Sequence, residues 1–136
     1  MQDELTIDAT VDNIPIATDY VTAQLEKYDC PMRTQLQITI AIDELFGNIA
    51  RYAYDSFTGP ATVRVKVVED PLSAEITFID HGIPYDPLAK DDPDLELGSD
   101  ERQIGGLGIF MTKEIMDDIR YEYRDGKNVL TIVKAF

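Results

Sequence analysis

In Glu44-Leu45-Phe46-Gly47-Asn48-Ile49-Ala50-Arg51-Tyr52-Ala53-Tyr54, polar residues interrupt a segment otherwise patterned for burial. Leu36, Ile40, Leu45, Ile49 and Ala53 recur at helical spacing, which predicts a helix over about 34–54 with that stripe buried. Glu44 and Asn48 are four residues apart and share one helix face, with Asp43 and Gly47 beside them. A glycine inside a helix costs about 1 kcal/mol relative to alanine. Its presence between two polar residues points to close approach by something bulky. Thr58-Gly59-Pro60 ends the helix.

Working outward, the chain before this helix holds a strand and a shorter helix. Leu5, Ile7 and Ala9 alternate with Thr6 and Asp8, the pattern of a half-buried strand. Asn13 and Pro15 mark a helix start, since Asn caps and Pro fits the first turn. Ile16, Tyr20, Val21 and Leu25 follow at roughly helical spacing, and Cys30-Pro31 breaks the run. Beyond the long helix, Val63, Val65 and Val67 alternate with Arg64 and Lys66, and Ile76, Phe78 and Ile79 read as the next strand. A helix carrying Ile109, Phe110, Ile115 and Met116 begins near 106–108. Two last strands, about 119–123 and 129–133, flank Asp125-Gly126, a strong hairpin signal. The order β-α-α-β-β-α-β-β predicts an α/β (α+β) two-layer sandwich: a mixed, mostly antiparallel sheet covered on one face by helices.

The length of 136 residues fits a single domain, 1–136, with enough chain to bury a core. The formal net charge is −14, from 12 Lys+Arg against 26 Asp+Glu. Such a surface repels phosphodiester backbones and anionic lipid, which argues against nucleic acid or membrane as a general partner. The only cysteine is Cys30, so no internal disulfide forms. With His81 as the only histidine, a structural zinc site is excluded. No secretory leader or long apolar run is present, so the expected location is cytoplasmic.

Three short motifs carry chemistry. At Glu44 and Asn48, one reading is an ordinary exposed helix face. The other is a carboxylate that takes a proton, beside an amide oxygen suited to a hard cation such as Mg²⁺. Asp80-His81-Gly82-Ile83-Pro84-Tyr85-Asp86-Pro87 leaves the end of a strand. It reads either as a simple turn or as a pocket-floor carboxylate that accepts from an exocyclic amine such as adenine's. Gly82 there allows positive φ or close backbone approach. Gly105-Gly106-Leu107-Gly108-Ile109-Phe110 opens a helix, and its three glycines in four residues let backbone N–H groups converge where the helix dipole favours phosphate. A flexible helix start accounts for the same glycines. Neither a Walker loop nor a dinucleotide fingerprint fits the spacing.

Each motif is weak alone, but their order and spacing resemble the N, G1 and G2 boxes of the GHKL ATPase superfamily. The wording around Glu44, Asp80 and Gly106-Leu107-Gly108-Ile109-Phe110-Met111 is most similar to the anti-sigma-factor serine kinases of the RsbW type. The resemblance covers nearly the whole chain and implies a Bergerat-type ATP-binding fold. It implies that Asn48 coordinates Mg²⁺ on the ATP phosphates and that Glu44 is the general base. Asp80 would accept from the adenine amine, Gly82 would give the base room, and Gly106, Leu107 and Gly108 would line the phosphates. Arg51, one turn after Asn48, is a candidate phosphate neighbour as well as an ordinary solvated arginine, and Arg102 and Lys113 are weaker ones.

The same resemblance implies an anti-sigma factor that binds a sigma factor, phosphorylates a serine of an anti-anti-sigma antagonist and forms a homodimer. The alternative is a non-catalytic ATP- or ADP-binding module that regulates a partner. The segment 86–101 would be the ATP lid; it holds seven acids against Lys90, nearly half of the net charge. A calcium loop counted from Asp92 fails on register, with Leu97 in place of glycine and Gln103 in place of glutamate. Autophosphorylation on histidine is not expected, because His81 lies inside the second motif.

Overall fold

Asp125 (φ 55°) and Gly126 (φ 76°) both adopt the left-handed region in the computed structural model. A two-residue hairpin needs that conformation at both positions, and it pairs Arg124 with Lys127. The structure describes residues 2–54, 57–89 and 104–136. In chain order its elements are β1 (Gln2–Asp8), α1 (Ile14–Glu26), α2 (Met32–Tyr52), β2 (Pro60–Val68), β3 (Ser73–Asp80), α3 (Ile104–Ile115), β4 (Asp118–Arg124) and β5 (Lys127–Ala135). The five strands form one sheet in the order β1-β2-β3-β5-β4. All four pairings are antiparallel, so the sheet is uniform where a mixed one was expected.

Period-2 alternation decides which sheet face the helices cover. On β2, Ala61, Val63, Val65 and Val67 are buried; on β3, Ala74, Ile76, Phe78 and Asp80; on β5, Asn128, Leu130 and Ile132. The opposite face carries the polar partners, with Thr6–Thr62 and Thr77–Thr131 hydroxyl pairs at 2.8 and 3.1 Å. Helices α1 and α2 lie on the apolar face, and α3 packs beside α2. The result is the two-layer α+β sandwich expected from the element order. Phe46 of α2 and Phe78 of β3 are buried at its centre, each contributing about 1.5–3 kcal/mol through area removed from water.

The buried stripe of α2 differs from the expected one. Leu36 and Ile40 are exposed, while Ile38, Ala41, Ile42, Leu45 and Phe46 face the core. Helix α1 shows the same adjustment: Ile14, Ala17, Val21 and Leu25 are buried and Ile16 is half exposed. Asn13 precedes α1, but its side chain turns back to the Asp8 carbonyl (2.8 Å) and makes no cap bond. Helix α3 starts at Ile104, so the glycines at 105, 106 and 108 lie within its first turns. The acidic segment 90–101 and Arg102 fall outside the described residues.

Candidate functional site

The C-terminal half of α2, the end of β3, the start of β5 and the first turns of α3 meet at one end of the sandwich. A pocket there is lined by Leu45, Asn48, Phe78, Asp80, Tyr121 and Asn128, among others. Its walls are mostly apolar, with a small number of convergent polar groups, the composition of a small-molecule site. Tyr52 and Tyr85 stand near one another beside it, ring centroids 6.5 Å apart.

Asp80 is the last residue of β3 and is 4% exposed. It sits on the core-facing phase of the strand, so the alternation that buries Ile76 and Phe78 carries this carboxylate inward too. Its Oδ1 accepts from the Gly82 N–H (2.9 Å) and from Asn128 Nδ2 (2.9 Å). The turn that follows is tied to the end of α2. The Ile83 N–H donates to the Ala53 carbonyl (2.9 Å), and the His81 N–H donates to the Tyr54 hydroxyl (3.0 Å). Tyr54 in turn donates to the Pro60 carbonyl. A Cβ on Gly82 would overlap the Ala53 backbone. The close approach that requires glycine is thus made by the chain's own helix end, with no positive φ at this position.

Asn128 was not singled out from the sequence. It is 6% exposed and lies on the core-facing phase of β5, paired with Asp80 across the ladder. Nδ2 donates to Asp80 Oδ1 (2.9 Å) and to the Ile83 carbonyl (2.8 Å). Oδ1 accepts from the Tyr85 N–H (3.1 Å) and from the Tyr121 hydroxyl. Burial raises the Tyr121 phenol above its ordinary pKa, so it stays a donor at neutral pH. An asparagine two residues after a hairpin turn reads as turn chemistry; the available signal was its register on the apolar phase of β5.

Glu44 and Asn48 lie one turn apart on α2. Asn48 is buried and Glu44 is half-buried. Glu44 Oε1 is fully enclosed yet has no hydrogen-bond partner among the described residues. Burial pushes the Glu44 carboxyl above its ordinary pKa; the Asn48 side chain and the Arg51 charge pull it down, and Asp43 pushes it up. Arg51 is exposed and folds back over Gly47, where a Cβ would stand 2.9 Å from its Nη1. The bulky neighbour expected at Gly47 is therefore this guanidinium. On α3, a Cβ at Gly108 would overlap the Glu44 carboxylate, so the helix backbone passes directly over that group. The Thr112 hydroxyl, fully buried, donates to the Gly108 carbonyl (3.0 Å) and fixes this turn. Gly106 and Leu107 belong to the same turn of α3, and their surroundings lie outside the described residues.

The structure thus brings Glu44, Asn48 and Gly108 together, and Asp80 and Gly82 together, with Asn48 and Asp80 lining one pocket. No group of three or more His, Cys, Asp or Glu side chains suited to hold a metal occurs among the described residues. The oxygens present still fit a hard cation held jointly with a phosphorylated ligand, since Asn48 offers an amide oxygen and Glu44 Oε1 is unsatisfied. Among the described residues, no helix is long and apolar enough to cross a membrane.

The serine/threonine-protein kinase BtrW of Bordetella bronchiseptica is 29% identical over 100 residues, covering 74% of this chain and 70% of that one. The serine-protein kinase RsbW of Listeria innocua is 31% identical over 98 residues, covering 68% of this chain and 61% of its own. The chain therefore spans roughly two-thirds of the curated relatives it matches. In fold it is similar to a crystal structure of the RsbU and RsbW domains of Rv1364c from Mycobacterium tuberculosis, with a TM-score of 0.70 and 16% identity over 98% of this chain and 32% of that one. Residues 7–134 match the family described as the histidine kinase-like ATPase domain, and the chain belongs to that family.

Proposed function

We propose that this chain is an ATP-dependent protein serine kinase of the anti-sigma type, working as a single domain. The observation that carries the reading is Glu44 Oε1, enclosed beside Asn48 and beneath the glycine turn of α3 with no hydrogen-bond partner among the described residues. An unsatisfied buried carboxylate oxygen costs on the order of 1–3 kcal/mol or more. A site that keeps one has a use for it, and proton abstraction is such a use. The relatives named serine-protein kinases support the same chemistry.

Each residue then has a task. Asp80 accepts from the exocyclic amine of adenine, in a pocket whose apolar walls enclose the base. Gly82 lets the turn close against α2 so that Asp80 is presented from a rigid end. The first turn of α3, with Gly106, Leu107 and Gly108, offers backbone N–H groups to the phosphates. Asn48 would hold Mg²⁺, and Arg51 adds positive charge from the rim. The metal, when bound, neutralises phosphate charge and leaves the leaving group stabilised. Glu44 takes the proton of the attacking serine hydroxyl as the Oγ–P bond forms and the bond to ADP breaks. Catalysis of this kind is positioning plus charge compensation.

The partners proposed are a sigma factor, which the protein withholds, and an anti-anti-sigma protein, which it phosphorylates, with the chain acting in the cytoplasm as a homodimer. The acidic composition suits partner proteins that present basic surfaces. The test is transfer of label from γ-labelled ATP, with Mg²⁺, to a candidate antagonist protein. Wild type is expected to label it, and Glu44→Gln to bind ATP normally but transfer at least about 100-fold more slowly. An unchanged rate in Glu44→Gln removes the general-base assignment. Nucleotide binding without any transfer favours the regulatory module, and no nucleotide binding overturns both.

A further inference from the structure

We propose that Asn128 is a positioning residue that sets Asp80 to read the exocyclic amine of the nucleotide base, deepening the ATP-binding reading above and resting on it. A carboxamide has two donor hydrogens and two acceptor lone pairs. In Asn128 all four are used inside the protein: Asp80 Oδ1, the Ile83 carbonyl, the Tyr85 N–H and the Tyr121 hydroxyl. Asn128 therefore has nothing left to offer a ligand, although it lines the pocket. Its effect on a base must pass through the groups it holds.

Asp80 Oδ1 is likewise occupied twice, by the Gly82 N–H and by Asn128 Nδ2. Among the described residues Oδ2 takes no hydrogen bond, so one oxygen of this pocket-lining carboxylate is committed to the protein and the other is uncommitted. A carboxylate oxygen only accepts, so the position it faces selects an amine and rejects a carbonyl. The carboxamide also bonds the backbone at Ile83 and Tyr85, two residues that line the same pocket. One side chain thus holds both the reading carboxylate and the turn that follows it.

The experiment is a ligand cycle on the full chain. Affinities are measured for ATP and for purine riboside 5′-triphosphate, which lacks the 6-amino group, in wild type and in Asn128→Ala. Wild type is expected to prefer ATP by about 10-fold or more. Asn128→Ala should lose most of that preference while binding the analogue within about twofold of wild type. Asn128→Asp, which sets an acceptor against Asp80 and the Ile83 carbonyl, should lose more ATP affinity than alanine does. Asn128→Ser keeps a hydroxyl on β5 and supplies the same cycle if the alanine variant does not fold. Equal losses for both ligands would show a merely structural role and overturn the proposal. Unchanged ATP binding in Asn128→Ala would overturn it too. Wild type that binds neither ligand overturns the ATP reading itself, and this inference with it.

Discussion

The two ends of the site are finished to different degrees. Around Asp80, every polar atom of Asn128 is used, Gly82 is pressed against the backbone of Ala53, and Tyr54 links the turn to β2. Around Glu44, a carboxylate oxygen is enclosed with no hydrogen-bond partner among the described residues, and the backbone of Gly108 passes over the carboxylate. The Asn128 carboxamide is fully satisfied and so holds Asp80 Oδ1 and the following turn rigidly, leaving Asp80 Oδ2 for a ligand. An unsatisfied group is held at a free-energy cost and is relieved when a ligand arrives. On the proposed function, the Asp80 end recognises the base and the Glu44 end reacts.

The glycines give the most forceful way to break this contrast, because the same added methyl meets different neighbours. At Gly108 a Cβ overlaps the far end of a flexible side chain, the Glu44 carboxylate. Gly108→Ala should therefore fold with nearly the wild-type Tm while turning Glu44 aside and slowing phosphoryl transfer by about 100-fold. At Gly82 the overlap is with the backbone of Ala53, which cannot swing away. Gly82→Ala should lose about 1–3 kcal/mol of stability, read from denaturant unfolding. If Gly82→Ala proves harmless and Gly108→Ala unfolds the protein, the assignment of rigid and adaptable ends is reversed.

The next effect is pH dependence. Burial raises the Glu44 carboxyl, so in the folded protein it ionises at higher pH than in the unfolded chain. Its contribution to stability is therefore complete below the unfolded pKa, declines as pH rises through the folded one, and is level above it. With Glu44 as the proposed general base, transfer runs the other way, because the base must be ionised. The rate should climb up to about tenfold per pH unit over an acid limb displaced above the usual glutamate range. Glu44→Gln should lose that limb and, above it, unfold at higher denaturant than wild type. An acid limb at the ordinary glutamate value would mean that the carboxylate is solvated during turnover.

How far the sequence disclosed these two ends follows from the same physics. Strand alternation on Val63, Val65 and Val67, and the Asp125-Gly126 turn, gave the sheet, because period 2 and left-handed turn residues have few other uses. The buried face of α2 was less legible. Leu36 and Ile40 form as regular an apolar row as Ile38 and Ile42, and periodicity alone cannot choose between two rows on one helix. Glu44, Asn48, Asp80 and the glycines stood out because polar or flexible residues sit where the pattern asks for apolar ones. Asn128 did not, because its meaning lies in four partners on three different segments: β3, the turn after it and β4. Hydrogen-bond saturation is a tertiary property that no local window contains.

The smallest expected effect tests how that saturation is divided. Tyr121→Phe removes one of the two donors to Asn128 Oδ1 and leaves the Tyr85 N–H in place. The carboxamide could then rotate only by exchanging its nitrogen and oxygen. That would set Oδ1 against Asp80 Oδ1 and the Ile83 carbonyl, two acceptors facing a third. Its orientation is therefore held by the groups on β3 and the following turn, with the tyrosine a supporting partner. Tyr121→Phe should cost about 1 kcal/mol of stability and change ATP affinity by less than about threefold. Titration calorimetry beside thermal unfolding separates the two readouts. A tenfold loss of ATP affinity at unchanged stability would place the control of Asn128 on β4, and would make the recognising end depend on a strand at the edge of the sheet.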